Sequence, residues 1–502
     1  MKKLSKLFTR ASTGLDAPIV TIEAHISGGL PSFSIVGLPE GAVRESKDRV
    51  RSAIMNSQFK FPSGRITVSL APANLPKSGG RYDLPIAIGL LLASGQISSK
   101  INLDDFELYG ELGLDGSLHT TDGLLPAVIA SADAKHNIIL PKTQANQYGL
   151  VNHAIIYPCQ HLLKVCEFLT GMADVKKLAY QAHNNQPIYT SDFAQVKGQH
   201  HAKRALEIAS AGGHNLLLIG PPGSGKTMLA ERLPSIMPPL ENNKALDCAS
   251  IYSVAGKAQD LSQLKVRSFR SPHHSSSAVA LVGGGSNPKP GEISLAHEGV
   301  LFLDELPEFP RHVLEVLRQP LENGVIHLSR AAQQITFPAN FQLIAAMNPC
   351  PCGYYGDGTA KCHCTGDQIQ RYKNKISGPL LDRIDMVLTV PPLPKETLLN
   401  QASGVEEASE VIRQRVDEAH NIQLGRQGKS NDKLGADEIE KLVPLSKDNR
   451  QLLSSVIDKL SLSARGYHRI LKVARTIADL AGSQPVEKSH LIEAVGYRRF
   501  DN

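Results

Sequence analysis

The stretch LLLIGPPGSGKTMLAERL, Leu216 to Leu233, constrains this chain more than any other. Its apolar start, Leu216 to Ile219, predicts a short buried strand. Gly220, Pro221, Pro222, Gly223, Ser224, Gly225, Lys226 and Thr227 fit the spacing G-x-x-x-x-G-K-S/T, and MLAERL favours a helix after it. A strand that passes through such a loop into a helix aims backbone N–H groups at one point, which suits a chain of phosphates. Lys226 is placed to reach the β- and γ-phosphates, and Thr227 to ligate Mg2+. The bland alternative is a glycine-rich turn, and the flanking strand and helix argue against it.

Two later apolar runs end in polar residues. VLFLDE, residues 300–305, ends in Asp304 and Glu305, and FQLIAAMN, residues 341–348, ends in Asn348. In a parallel sheet such residues gather at the carboxyl edge, where ligands bind. An Asp-Glu pair after a strand is by itself more often a solvated strand end. Downstream of a phosphate loop, Asp304 is expected to hold Mg2+ through water, Glu305 to polarise the attacking water, and Asn348 to position it.

The chain has 502 residues, 41% apolar and 20% charged, with a net charge of +6. No apolar run reaches the roughly 18 residues needed to span a bilayer. Lys2, Lys3, Lys6 and Arg10 are not followed by a signal-peptide core, so a cytoplasmic protein is expected, without a membrane partner. The positive balance permits an anionic partner without requiring one. The patterning predicts an α/β protein in parts: a mixed α+β domain over residues 1–171, a polar linker over 172–191 and a parallel-sheet core over 192–394. A helical lid is expected over 395–502.

NPCPCGYYGDGTAKCHC, residues 348–364, holds four of the seven cysteines as two C-x-C pairs. In a reducing compartment such clustering favours metal ligands over disulfides. Cys350, Cys352, Cys362 and Cys364 are expected to close a tetrahedral Zn2+ site of structural type, and His363 could replace one sulfur. Unligated buried thiols and a redox disulfide are the alternatives.

Three stretches together resemble the magnesium-chelatase-like AAA+ ATPases, and within them the ComM/YifB family. They are GHNLLLIGPPGSGKTMLAERLPSI, FRSPHHSSSAVALVGGGSNPKPGEISLAHEGVLFLDELPEF and LRQPLENGVIHLSRAAQQITFPANFQLIAAMNPCPCG. The resemblance covers nearly the whole chain. It implies ATP and Mg2+ as ligands and a homohexameric motor of the helix-2-insert branch, related to MCM helicases. In SGPLLDRID, Arg383 matches the arginine finger that completes a neighbour's site. In LSARGYHRILKVAR, Arg465 matches the sensor-2 arginine that touches the γ-phosphate, with Arg469, one turn on, as the second choice. Gly198 and Gln199 match the segment that lies against adenine. VIHLSRAAQQITF resembles a pore hairpin with Arg330 set against DNA. The loop from Gly283 to Lys289 resembles the tip of the insert, with Lys289 as a phosphate contact; the alternative is that both are merely exposed turns. One cation per subunit around a ring implies sequence-independent, salt-sensitive DNA binding.

ANLPKSGGRYDLPIAIGLLLASG resembles the Lon-protease segment that carries the catalytic serine. Arg81 stands where that serine would be, and Leu125 where its lysine would be, so an inactive Lon-like domain is expected. Ser78 is out of register and has no evident base. Arg44, Lys47, Arg49, Arg51, Lys77 and Arg81 are candidates to track DNA, and a solvated helix face explains Arg44 to Arg51 equally well. The resemblance implies helicase or branch-migration activity on single-stranded and branched DNA during natural transformation and recombination. The alternative is an ATP-driven remodeller of a protein or metal-insertion partner of chelatase type, although no D-x-S-x-S motif is evident.

Overall fold

The computed structural model describes the chain except residues 1–3, 180–186, 258–262, 286–287, 331–332, 357–360, 393–405, 461 and 499–502. Much of the expected linker and the expected core–lid boundary at 394/395 lie outside the described residues. The chain divides into two compact units, Met1–Gln186 with Leu246–Leu261, and Pro187–Ala245 with Ser262–Asn502. No helix among the described residues is long and apolar enough to cross a membrane.

The first unit is built on a seven-stranded mixed sheet in the order β3-β4-β2-β1-β5-β8-β9. Its strands are β1 (Leu4–Arg10), β2 (Ile19–Ser27), β3 (Ser32–Val36), β4 (Arg65–Ala71), β5 (Phe106–Leu108), β8 (Asn137–Pro141) and β9 (Ile155–Cys159). A small hairpin, β6 (Glu111–Leu112) with β7 (Leu118–His119), stands apart from the sheet. Alternation sets the faces: Val20, Ile22 and Ala24 of β2 are buried, and they alternate with more exposed neighbours. The helix Asp83–Ala93 is buried almost throughout, as its apolar DLPIAIGLLLA requires. One charged network is sealed in this unit. Arg10 forks onto Glu107 at 2.9 Å, Ser131 and His136 bond the carboxylate at 2.5 and 2.8 Å, and the Tyr109 hydroxyl donates to it as well. Burial raises the Glu107 carboxyl, but hydrogen bonds from Arg10, Ser131 and Tyr109 outweigh it and hold the group below its usual range.

The second unit carries a five-stranded sheet in the order β11-β14-β17-β10-β18, parallel throughout. The strands are β10 (Leu216–Ile219), β11 (Phe269–Arg270), β14 (Val300–Leu303), β17 (Gln342–Met347) and β18 (Met386–Thr389). Two hairpins extend from it: β12 (Gly283–Gly284) with β13 (Lys289–Pro290), and β15 (Val325–Arg330) with β16 (Gln333–Pro338). The continuous apolar runs of β10, β14 and β17 fit burial on both faces. Leu216 and Leu218 face a core shared with Ile412, Val416, Leu471 and Ile477, while Leu217 faces a second core with Leu301, Leu343 and Phe309.

The helices Ser409–Gln427, Ala436–Leu442, Lys447–Leu460, Ala464–Leu480 and Lys488–Gly496 form the C-terminal part. Residues of all five share the first of these cores with the sheet, which makes sheet and lid one unit. His214, fully buried just before β10, bonds Thr476 of the lid at 2.7 Å and ties the two parts together.

Candidate active site

Because the five strands are parallel, their carboxyl ends lie on one edge. The P-loop leaves β10 there, turns through Gly223 (φ +75°) and Gly225 (φ +87°), and enters the short helix Lys226–Glu231. Left-handed φ values at both positions explain the glycines of the motif. Lys226 lies folded against its own loop. Its Nζ donates to the carbonyls of Gly220 at 2.7 Å and Pro221 at 3.0 Å, and to Asn348 Oδ1 at 3.4 Å. Burial lowers the Lys226 ammonium, and the Asp304 and Glu305 carboxylates partly offset that.

Asp304 and Glu305 follow β14 on the same edge. Thr227 Oγ1 donates to Asp304 Oδ2 at 2.6 Å, so a hydroxyl and a carboxylate meet at one point in the cleft. That pairing of oxygen donors fits a hard divalent cation. Glu305 takes a left-handed backbone (φ +52°) that turns its exposed side chain into the same cleft, which Lys226, Thr227, Asp304, Asn348 and the loop glycines also line. Asn348 follows β17, the strand between β14 and β10. One partner of Glu305 had not been read from the sequence: His274 Nδ1 stands 3.2 Å from Glu305 Oε2. The only signal was the double histidine in FRSPHHSSS, and histidines in loops are common. Gln199 also reaches the P-loop, with Nε2 donating to Ser224 O at 3.3 Å and Pro391 O at 2.9 Å. The segment expected against adenine therefore borders the cleft.

The arginines lie elsewhere. Arg383 precedes β18, whose first residue pairs with Leu216 at the amino end of β10. Asp385 accepts from the Asn215 backbone at that same end, at 3.0 Å. Arg383 bonds Glu322 at 2.9 Å and Pro379 O at 2.7 Å. Arg469 pairs with Asp385 at 3.3 Å, and Arg383, Arg465 and Asp382 act on it at close range. Arg465 itself is exposed. The structure thus gathers Arg383, Arg465 and Arg469 at the amino edge, a strand's length from this chain's own P-loop.

The four cysteine sulfurs, from Cys350, Cys352, Cys362 and Cys364, lie within 4.8 Å of one another. Cys350 and Cys362 are 3.8 Å apart, and Cys352 and Cys362 3.6 Å. A tetrahedral site with Zn–S bonds of about 2.3 Å needs sulfurs about 3.8 Å apart, so the donor set fits zinc. The backbone N–H of Tyr354 and the neighbouring thiols pull the Cys352 thiol down to about 6.

Lys289 is exposed on the small hairpin beside residues 286 and 287, which lie outside the described residues. The expected β15–β16 hairpin is present, with Arg330 opposite Gln333 at its tip; the Arg330 side chain lies outside the described residues. In the first unit, Arg81 and Lys77 are buried and cannot track a polyanion. Arg81 donates to the carbonyls of Asp122 at 2.7 Å and Gly123 at 3.3 Å. Arg49 pairs with the buried Asp83 at 2.7 Å.

Comparison with known proteins is consistent from end to end. Residues 192–398 match the family model described as magnesium chelatase, subunit ChlI. Residues 22–144 match that of subunit ChlI of Mg-chelatase, and residues 406–498 that of its C-terminal part. The chain is 50% identical to the competence protein ComM of Haemophilus influenzae, over 99% of this chain and 97% of that protein. It is 49% identical to the protein YifB of Salmonella typhimurium over the same shares, 99% and 97%. A magnesium-chelatase 67 kDa subunit of Heliobacterium mobile is 25% identical over 34% of this chain and 30% of its own length.

Proposed function

The chain belongs to the ComM/YifB family of magnesium-chelatase-like AAA+ proteins, and from that premise we propose that it is a cytoplasmic ATPase that works as a homohexameric motor on single-stranded and branched DNA. One observation carries the reading. Lys226, Thr227, Asp304, Glu305 and Asn348 converge on one cleft, while Arg383 is pinned at the opposite edge of the same sheet. A hydrolytic site that lacks its own arginine is completed by a neighbouring subunit.

In this mechanism Lys226 leaves the carbonyls of Gly220 and Pro221 for the β- and γ-phosphates of ATP. Thr227 and Asp304 are the residues that hold Mg2+, which when bound offsets phosphate charge. Asn348 orients the attacking water, and Glu305 takes up its proton as it attacks the γ-phosphorus, whose bond to the β–γ bridging oxygen breaks to release ADP and phosphate. His274 beside Glu305 holds the carboxylate until substrate arrives. Arg383 of the adjacent subunit stabilises the charge that develops on the transferred group. The Arg469–Asp385 pair at the amino edge supports a role for Arg465 and Arg469 on the same trans face, rather than at this chain's own γ-phosphate. The four cysteines hold a structural Zn2+.

The DNA reading draws on the competence function printed for the Haemophilus relative, on the β15–β16 hairpin with Arg330 at its tip, and on the exposed Lys289. We assign the chain helicase or branch-migration activity in recombination of transforming DNA. The first unit fits an inactive Lon-like domain. Arg81 and the turn before Leu125 meet there, as serine and lysine would, and neither a nucleophile nor a base stands in those positions. A second reading, a chelatase-type remodeller, is favoured by the chelatase family models that match along the chain. Resolution of a labelled three-stranded DNA junction, with Glu305→Gln as control, separates the two. ATP-dependent branch movement by the wild type alone supports the motor. ATP hydrolysis without strand movement on any junction rejects it in favour of the remodeller.

A further inference from the structure

The cysteine cluster and the nucleotide site share more than a strand end. Cys350 lies two residues beyond Asn348 in the sequence, and the Gly353 N–H donates back to Cys350 O at 3.0 Å, closing the first turn of the loop. That turn rests on the P-loop. A Cβ placed on Gly353 would come within 2.7 Å of Pro222 Cδ and 2.9 Å of its Cγ, with Asn348 Cγ at 3.8 Å. Gly353 also has φ +87°, so the position excludes side chains on two counts. Past Cys364, Thr365 caps the helix Gly366–Lys373 with a reciprocal pair of hydrogen bonds to Gln368. That helix carries Tyr372, 5% exposed, into the core that Leu217 and Leu343 share. The loop therefore leaves from Asn348, touches Pro222, gathers four sulfurs, and ends in a helix held by that core.

We infer that Gly353 is a positioning residue, through which the metal held by Cys350, Cys352, Cys362 and Cys364 sets the geometry of the P-loop and of the neighbouring Asn348. Zinc is then a determinant of nucleotide affinity as well as of local folding. The inference rests on the zinc reading of the cluster given above. Its physical basis is that a loop with few apolar side chains has little to hold it except the metal. With the sulfurs released, Pro222 loses the turn that packs against it, and a phosphate cradle tolerates little displacement.

The test reads binding rather than turnover. Zinc content per chain and the Kd for a fluorescent, non-hydrolysable ATP analogue are measured on the full chain, with circular dichroism as the check on folding. Removal of zinc by a chelator under reducing conditions raises Kd about tenfold or more, and zinc, but not extra Mg2+, restores it. Gly353→Ala raises Kd similarly while keeping its zinc. A zinc-free, folded chain that binds nucleotide as the wild type does overturns the inference alone. A wild-type chain that neither carries nor takes up zinc overturns the metal reading beneath it. Should Gly353→Ala bind nucleotide normally, the contact with Pro222 has no positioning role.

Discussion

Replacing Arg383 by alanine separates binding from turnover more cleanly than any other change in this chain. The side chain sits three residues before β18, at the end of the sheet where Leu216 begins β10. The P-loop begins at the other end, beyond Ile219, and four strand residues span about 13 Å. An arginine side chain anchored on Glu322 and Pro379 O cannot close that gap, so Arg383→Ala leaves nucleotide affinity within about twofold. The cost to stability is also small. Glu322 is 58% exposed, and an ion pair of that kind contributes about 0–1 kcal/mol. Turnover is another matter: an arginine supplied to a transferring phosphoryl group is worth about a thousandfold or more, or roughly 4 kcal/mol of barrier. The assay is steady-state ATP hydrolysis with parallel nucleotide titration, followed by mixing. Arg383→Ala retains a complete P-loop, and Lys226→Ala retains the arginine, so two inactive proteins regain hydrolysis when combined. Wild-type turnover by Arg383→Ala, or no recovery on mixing when both proteins assemble, would refute the shared-site argument.

Other expectations are more local. Lys226→Ala abolishes nucleotide binding, whereas Glu305→Gln binds normally and traps the triphosphate; filter binding beside phosphate release distinguishes them. His214 is buried as the neutral imidazole, and burial depresses it from 6.5 to about 4 despite Asp385 nearby. Its contribution is therefore complete above pH 6.5 and is lost as pH falls towards 4, by about 3 kcal/mol, because the unfolded chain binds the proton first. Thermal melts should show that slope in the wild type and a shallower one in His214→Gln; equal slopes would count against it. Arg10→Met leaves Glu107 buried without its fork, and loses about 3–5 kcal/mol in denaturant titrations of the full chain. Lys289→Ala lowers the slope of log affinity for DNA against log salt by close to one phosphate contact per subunit, with basal ATP hydrolysis unchanged.

Some of this was open to reading from the chain alone, for a definite reason. The P-loop, the Asp304–Glu305 pair, Asn348 and the β15–β16 hairpin are each written within a few neighbouring residues. Local spacing, strand periodicity and backbone freedom at glycine decide them, and none needs a distant partner. The four cysteines were legible as a group because both pairs lie on one short loop. What the sequence could not supply was every relation that depends on strand order. Placing β17 between β10 and β14 is what brings Asn348 to Lys226, residues 122 apart. The parallel register puts Arg383, expected to serve a neighbour, at the amino edge, and the Arg469–Asp385 pair brings the lid arginines to that edge too, away from the γ-phosphate that Arg465 was expected to touch. His274 beside Glu305 and Gly353 against Pro222 are likewise contacts across the fold. Burial overrode composition at Lys77 and Arg81, which read as surface cations and pack inside the first unit. Local chemistry is set by neighbours in the chain; which chemistries meet is set by how strands and helices pack.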